Sequence, residues 1–159
     1  MRWAIRAATG LDDAELELPT PCDGWTVRDL LNYVIGSMTL AGAILSQTAV
    51  PNGIEPGGVP SDDLVGDDPV SALSAVITSL LLAAGGGALT ESHSAAGAEV
   101  PGAIVAGFTA LDLVIHTWDL DVALGRAAII EPAAADTLLE FCGAVLDTGD
   151  RRPPASGGR

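Results

Sequence analysis

Positive charge is scarce in this 159-residue chain: seven Lys and Arg stand against 21 Asp and Glu, a formal net charge of −14. So acidic a surface repels phosphate backbones and anionic lipid headgroups, which argues against nucleic acid and membranes as partners. Charged residues of both signs make up only 18% and hydrophobic ones 48%. That is the reverse of the balance that keeps a chain disordered, and the length suits one domain with a full core. Aromatic residues are only 4% and strand signals are few, which leaves helical periodicity to account for most of the chain. Long apolar runs are missing too. The most apolar segment, residues 100–115, is broken by Asp112 and falls short of the roughly 20 residues that a membrane span requires. Nothing at the N-terminus reads as a secretory signal. The two cysteines, Cys22 and Cys142, are too sparse for a disulfide framework and read as unpaired thiols in a cytoplasmic protein.

What is present is punctuation between helices. A short first helix covers about residues 2–9, with Gly10 as its stop. Pro19, Pro21 and Gly24 build a rigid turn, and Thr26 with Asp29 then forms a capping box for a helix over 27–47. Its apolar face is Leu30, Val34, Met38, Ala41 and Leu45. Residues 48–66, rich in Gly and Pro, suit a crossover loop rather than a hairpin turn. Pro69 starts a helix over 69–84, with Val70, Leu73, Ile77, Leu80 and Leu81 facing inward. A polar connector over 88–100, with room for a short hairpin, leads to helices over 102–124 and 132–147. The expected fold is all-α: one helical domain over residues 1–150 and a flexible Pro/Gly-rich tail over 151–159.

The helix over 102–124 carries the chemistry. Leu111, Leu113, Val114 and Ile115 are apolar in nearly every direction, which predicts a buried helix and a buried or half-buried Asp112. His116 lies one turn on, over the same face, and Asp119 three residues further. Charge in an apolar stripe is costly unless paired or coordinating, so Asp112 and His116 are either a self-satisfied ion pair or half of a divalent-metal site. Tyr33, at the edge of the apolar face of the 27–47 helix, is the candidate third group, a hydrogen-bond donor to Asp112 or to a bound carbonyl. His93, between two serines, reads as a solvated loop residue; Trp25 and Trp118 read as core anchors.

Two stretches, Leu18-Pro19-Thr20-Pro21-Cys22-Asp23-Gly24-Trp25-Thr26-Val27-Arg28-Asp29-Leu30-Leu31-Asn32 and Val114-Ile115-His116-Thr117-Trp118-Asp119-Leu120, resemble actinobacterial proteins of the mycothiol-dependent maleylpyruvate isomerase and DinB-like superfamily. The resemblance implies a DinB-like four-helix bundle with a divalent-metal pocket, zinc or nickel as the metal, and mycothiol as a small-thiol cofactor. It places metal ligands on Asp112 and His116. Where the family has a His on the second helix this chain has Tyr33, so the implied metal site is incomplete.

Three readings follow. One is a metal- and mycothiol-dependent transferase or isomerase. Another is a metal-free enzyme of secondary metabolism in which His116 is the acid or base, Asp112 orients it and Tyr33 binds a substrate oxygen. The third is a non-catalytic binding module. The expected partner is a small-molecule substrate, and a homodimer is left open.

Overall fold

The computed structural model describes residues 2–149; the tail expected at 151–159 lies outside the described residues. The described chain is mostly helical, with six helices and one hairpin: α1 (Arg2–Ala7), α2 (Asp13–Leu16), α3 (Val27–Ser46), α4 (Pro69–Ala83), β1 (Ser92–Ala95), β2 (Ala98–Pro101), α5 (Gly102–Ala123) and α6 (Pro132–Gly149). It divides into two compact units that meet in sequence between Ile129 and Ile130. The first holds α1 to α5 and the hairpin. The second holds α6, whose Leu139 and Leu146 are exposed while Leu138 and Phe141 are half-buried.

Local signals set the helix ends. Thr26 accepts from the Asp29 amide and Asp29 accepts from the Thr26 amide, so the first turn of α3 closes on itself. Asp68 caps α4 by accepting from both the amide and the hydroxyl of Ser71, with Pro69 at the first helical position. The four-residue α2, capped by Asp12 and Glu15, is too short to show a periodicity in sequence. In the first unit α3 packs against both α4 and α5, and α1 rests on α5 and α4. Leu30, Val34, Met38, Ala41 and Leu45 of α3 are all buried, as are Leu73, Ile77 and Leu80 of α4. The α4 stripe is turned slightly from the expected one: Val76 is inside and Leu81 is exposed.

The crossover loop between α3 and α4 is tied down along one edge of α3. Asn32 Oδ1 accepts from the amides of Leu64 (2.6 Å) and Val65 (3.0 Å), and its Nδ2 donates to Asp63 at 3.1 Å. One turn earlier, Arg28 pairs with Asp63 at 2.8 Å. One turn later, Gly36 lets the loop lie flat, because a Cβ there would sit 2.7 Å from Pro60 Cγ. The three positions recur every four residues, so the loop follows a single face of the helix.

Two sequence expectations are corrected. The helix α5 is not buried on all sides: Ile115, Trp118 and Val122 are 44%, 40% and 40% exposed, so Trp118 is no core anchor. Apolar composition all round does not say which side receives a neighbour, and the inner face is the one carrying Leu113, Val114, Thr117 and Leu120. His93 is not solvated. The antiparallel β1–β2 hairpin turns it inward to 1% exposure, with Nε2 2.7 Å from the Ala88 carbonyl and Nδ1 without a partner. Gly102 makes room for this contact, since a Cβ at that position would collide with the Ala88 carbonyl oxygen. By length and hydropathy alone, α3 and α5 would each be able to cross a membrane, a composition that core helices share.

Replacing Asn32 with Ala should lower the unfolding free energy by about 2 kcal/mol, because the amides of Leu64 and Val65 lose their shared acceptor and a buried unpaired polar group costs roughly 1–3 kcal/mol. Urea unfolding of both proteins measures this. A midpoint that does not move would mean that the loop is anchored elsewhere.

Candidate functional site

The site is built on α5, around one imidazole. His116 Nε2 lies 3.2 Å from Asp112 Oδ1, one turn back, and Nδ1 lies 3.0 Å from Asp119 Oδ2, one turn on. The helical period places all three on one face, and their side chains are only 15%, 24% and 10% exposed. Across the interface α3 supplies Tyr33, whose hydroxyl donates to Asp112 Oδ1 at 3.1 Å, and Ser37, which donates to Oδ2 at 2.8 Å. Tyr33 and Ser37 are one turn apart, the spacing needed to reach both oxygens of one carboxylate. The Tyr33 ring also meets the His116 ring edge-on, at 5.0 Å between centroids, and packs on Trp25 at the same separation.

On the other edge of the imidazole stands Cys22. Its Sγ is 3.6 Å from Asp119 Oδ2 and 3.9 Å from His116 Nδ1. The turn that carries it is heavily cross-linked. The Cys22 amide donates to Thr20 Oγ1, the Trp25 amide donates to the Cys22 carbonyl, and the Thr20 amide donates to the Trp25 carbonyl. Gly24 takes the left-handed conformation that this corner requires (φ 77°). Thus the structure brings together Asp112, His116 and Tyr33 and adds Ser37, Asp119 and Cys22. Sequence reasoning assigns Ser37 and Cys22 no role. The available signals were the four-residue spacing from Tyr33 to Ser37, and the presence of both Cys22 and Asp119 in the two stretches that carry the family resemblance.

Burial works against charge on both Asp112 and His116, yet their mutual contacts win. Hydrogen bonds from His116 and Ser37, the imidazolium charge and the Tyr33 hydroxyl hold the Asp112 pKa below its ordinary value. The hydrogen bond and charge of Asp112, followed by those of Asp119, raise the pKa of His116. Burial, the Asp119 charge and the hydrogen bond to Asp119 raise the Cys22 pKa, so this thiol is no activated nucleophile on its own. Burial and the charge and hydrogen bond of Asp112 push the Tyr33 phenol up to about 12.

The donor chemistry bears on the fit of a metal at the positions the resemblance implies. A phenol held protonated offers no ligand, and both Asp112 oxygens already accept hydrogen bonds, from Tyr33, Ser37 and His116. The set Tyr33, Asp112 and His116 therefore does not fit a divalent cation, and no chemistry is derived from one there. A different trio does offer donors: Cys22 Sγ, a ring nitrogen of His116 and a carboxylate oxygen of Asp119 all lie within 4.8 Å of one another.

Beside Asp112 runs a groove of about 480 Å³ between α3 and α5. Its walls are largely apolar, with Leu40, Ile44, Ile104, Val105 and Leu111 among them, and among the described residues Asp112 is the one charged residue that lines it.

The first unit is thus a helical scaffold that carries a carboxylate–imidazole network beside a largely apolar groove. The chain belongs to the family described as the mycothiol maleylpyruvate isomerase N-terminal domain, whose profile matches residues 3–121. It is also similar to two uncharacterized proteins of Mycobacterium tuberculosis, MT0763 of strain CDC 1551 / Oshkosh and Rv0738 of strain H37Rv. Each is 33% identical over 135 residues, which cover 85% of this chain and 69% of the relative. No solved structure matches the chain.

The coupling of Asp112 to His116 has a pH signature. The lowered Asp112 pKa contributes stability that is present above the ordinary carboxylate value and is lost as pH falls through the folded one. The raised His116 pKa contributes stability that is complete below the ordinary histidine value and is lost as pH rises through the folded one. Metal-stripped protein should therefore be most stable between those two ordinary values. Asp112→Asn should lower the His116 pKa read by NMR, with Asp119 still supporting part of the shift. An unchanged His116 titration would show that the two groups are not coupled.

Proposed function

We propose that this chain is a thiol-dependent enzyme domain of the transferase or isomerase type, with mycothiol as the thiol and a largely apolar small electrophile as the substrate. The carrying observation is the α3–α5 groove, which is largely apolar and among the described residues meets a charged group only at Asp112. An apolar body binds such a surface by burial, and the few polar groups at one end set its orientation.

The family gives the thiol, and the residues give the chemistry. Addition of a thiol to an activated double bond releases the sulfur-bound proton and places one on the product; expulsion of the thiol reverses this. The Tyr33 and Ser37 hydroxyls each carry one proton, which they donate to Asp112; turned from Asp112 to a substrate oxygen, the same protons would meet a developing negative charge there. Asp112 is the acceptor at the groove wall, and His116, behind it, holds the shared proton at Nε2. If the adduct is retained the reaction is a transfer. If the thiol leaves after rotation about the former double bond, it is a cis–trans isomerisation. The rest of the reading is a DinB-like four-helix bundle over residues 1–150, a cytoplasmic location, and a small-molecule partner rather than nucleic acid or membrane. A homodimer is compatible with it.

The test is turnover of maleylpyruvate and of a panel of apolar unsaturated electrophiles in the presence of mycothiol, with free thiol followed in parallel. Consumption of thiol identifies a transferase; conversion at constant thiol identifies an isomerase. His116→Ala should reduce turnover by roughly 100-fold or more, the usual worth of a positioned proton carrier. Ile104→Trp, which narrows the groove at its wall, should raise KM more than it lowers kcat. Full activity of the His116 variant, or turnover that does not depend on mycothiol, would overturn this reading.

A further inference from the structure

We propose that Cys22 Sγ, His116 Nδ1 and Asp119 Oδ2 form a three-ligand site for a zinc-type divalent cation, on the opposite edge of the imidazole from the one the family resemblance implies. The inference holds whatever reaction the groove supports.

Geometry is the first argument. Zinc bonds of about 2.3 Å to sulfur, 2.05 Å to nitrogen and 2.1 Å to oxygen, set at tetrahedral angles, separate the donor atoms by about 3.5 Å for each sulfur pair and about 3.4 Å for nitrogen and oxygen. The observed separations are 3.9 Å for sulfur to nitrogen, 3.6 Å for sulfur to oxygen and 3.0 Å for nitrogen to oxygen. No edge of the triangle needs to change by more than about half an ångström, within the reach of small side-chain rotations. One thiolate, one imidazole and one carboxylate also form a donor set that suits zinc rather than magnesium or calcium. Three protein ligands leave a fourth position open.

The surroundings support the same assignment. A metal-bound histidine commonly donates its other ring N–H to a carboxylate, which fixes the ring and its tautomer. Asp112 stands there at 3.2 Å, itself held by Tyr33 and Ser37. The thiol ligand arrives already placed, on a turn fixed by three backbone and side-chain hydrogen bonds. Charge suits a cation as well: two carboxylates, Asp112 and Asp119, flank the ring, and no Arg pairs with either among the described residues. On binding, the cation displaces one proton from the thiol, and a second from Nδ1 where that nitrogen is protonated; both protons pass to solvent.

Cobalt(II) reads this directly on the full chain after chelator treatment. The wild type should retain one equivalent and show a sulfur-to-cobalt charge-transfer band with the visible spectrum of a tetrahedral ion. Cys22→Ser should abolish the band and weaken zinc at least tenfold in competition with a chromophoric chelator, and Asp119→Asn should also weaken zinc. Cys142→Ser should keep the band. Asp112→Asn should keep it at about 10- to 100-fold lower affinity, the range expected for loss of a supporting carboxylate. Circular dichroism checks that each variant folds. If Cys22→Ser does not fold, protection of the wild-type Cys22 thiol from alkylation by added zinc, located by mass spectrometry, decides the same point. Cobalt bound without the band, a band lost in Cys142→Ser instead, or no retained cobalt in the wild type overturns the site.

Discussion

The rest of the site depends on a single half-buried imidazole that faces a carboxylate on each edge. Asp112 lies a turn before His116 and Asp119 a turn after, so the α-helix itself brings three ionisable groups within hydrogen-bond distance. Neither carboxylate has another cation nearby among the described residues. Two carboxylates on one face of a core helix would otherwise repel each other in a medium that solvates them poorly. The ring compensates both, and α3 then adds Tyr33 and Ser37 to complete the coordination of Asp112.

Because the ring nitrogens are pinned separately, the two edges differ chemically. The Nε2 edge faces Asp112, two hydroxyls and the apolar groove. The Nδ1 edge faces Asp119 and the thiol of Cys22. One edge thus presents hydroxyls and a carboxylate beside an apolar groove, the other a thiol, a ring nitrogen and a carboxylate. Both rely on the fixed register of α3. The Pro-rich turn sets its first residue, and the crossover loop bonded to Arg28 and Asn32 clamps another face of it.

The family match covers residues 3–121 and thus contains every residue of this network, while α6 lies beyond it. Within that frame Tyr33 is the informative departure. A second-helix imidazole would leave Asp112 free to coordinate, whereas a protonated phenol binds the Asp112 oxygen and turns the carboxylate into a partner of His116. The Cys22, His116 and Asp119 donors that lie within 4.8 Å of one another stand on the other edge of the imidazole.

Much of this was legible in the sequence, because it is local. The box of Thr26 and Asp29, the Asp68-Pro69 start, the glycine stops and the positions of the long helices follow from capping chemistry and from a period of 3.6 residues. So does the presence of Asp112, His116 and Asp119 on one face, which is a property of one helix. Whatever required a second element was decided only by the tertiary structure. Composition could not tell which flank of α5 would stay exposed at Ile115 and Trp118, nor that the hairpin would bury His93 against Ala88. Cys22 precedes His116 by 94 residues, and no periodicity links a turn to a helix at that range. Only packing α3 against α5 brings the Pro-rich turn over the imidazole, because contact between distant segments depends on how the faces of helices meet rather than on the order of residues within them.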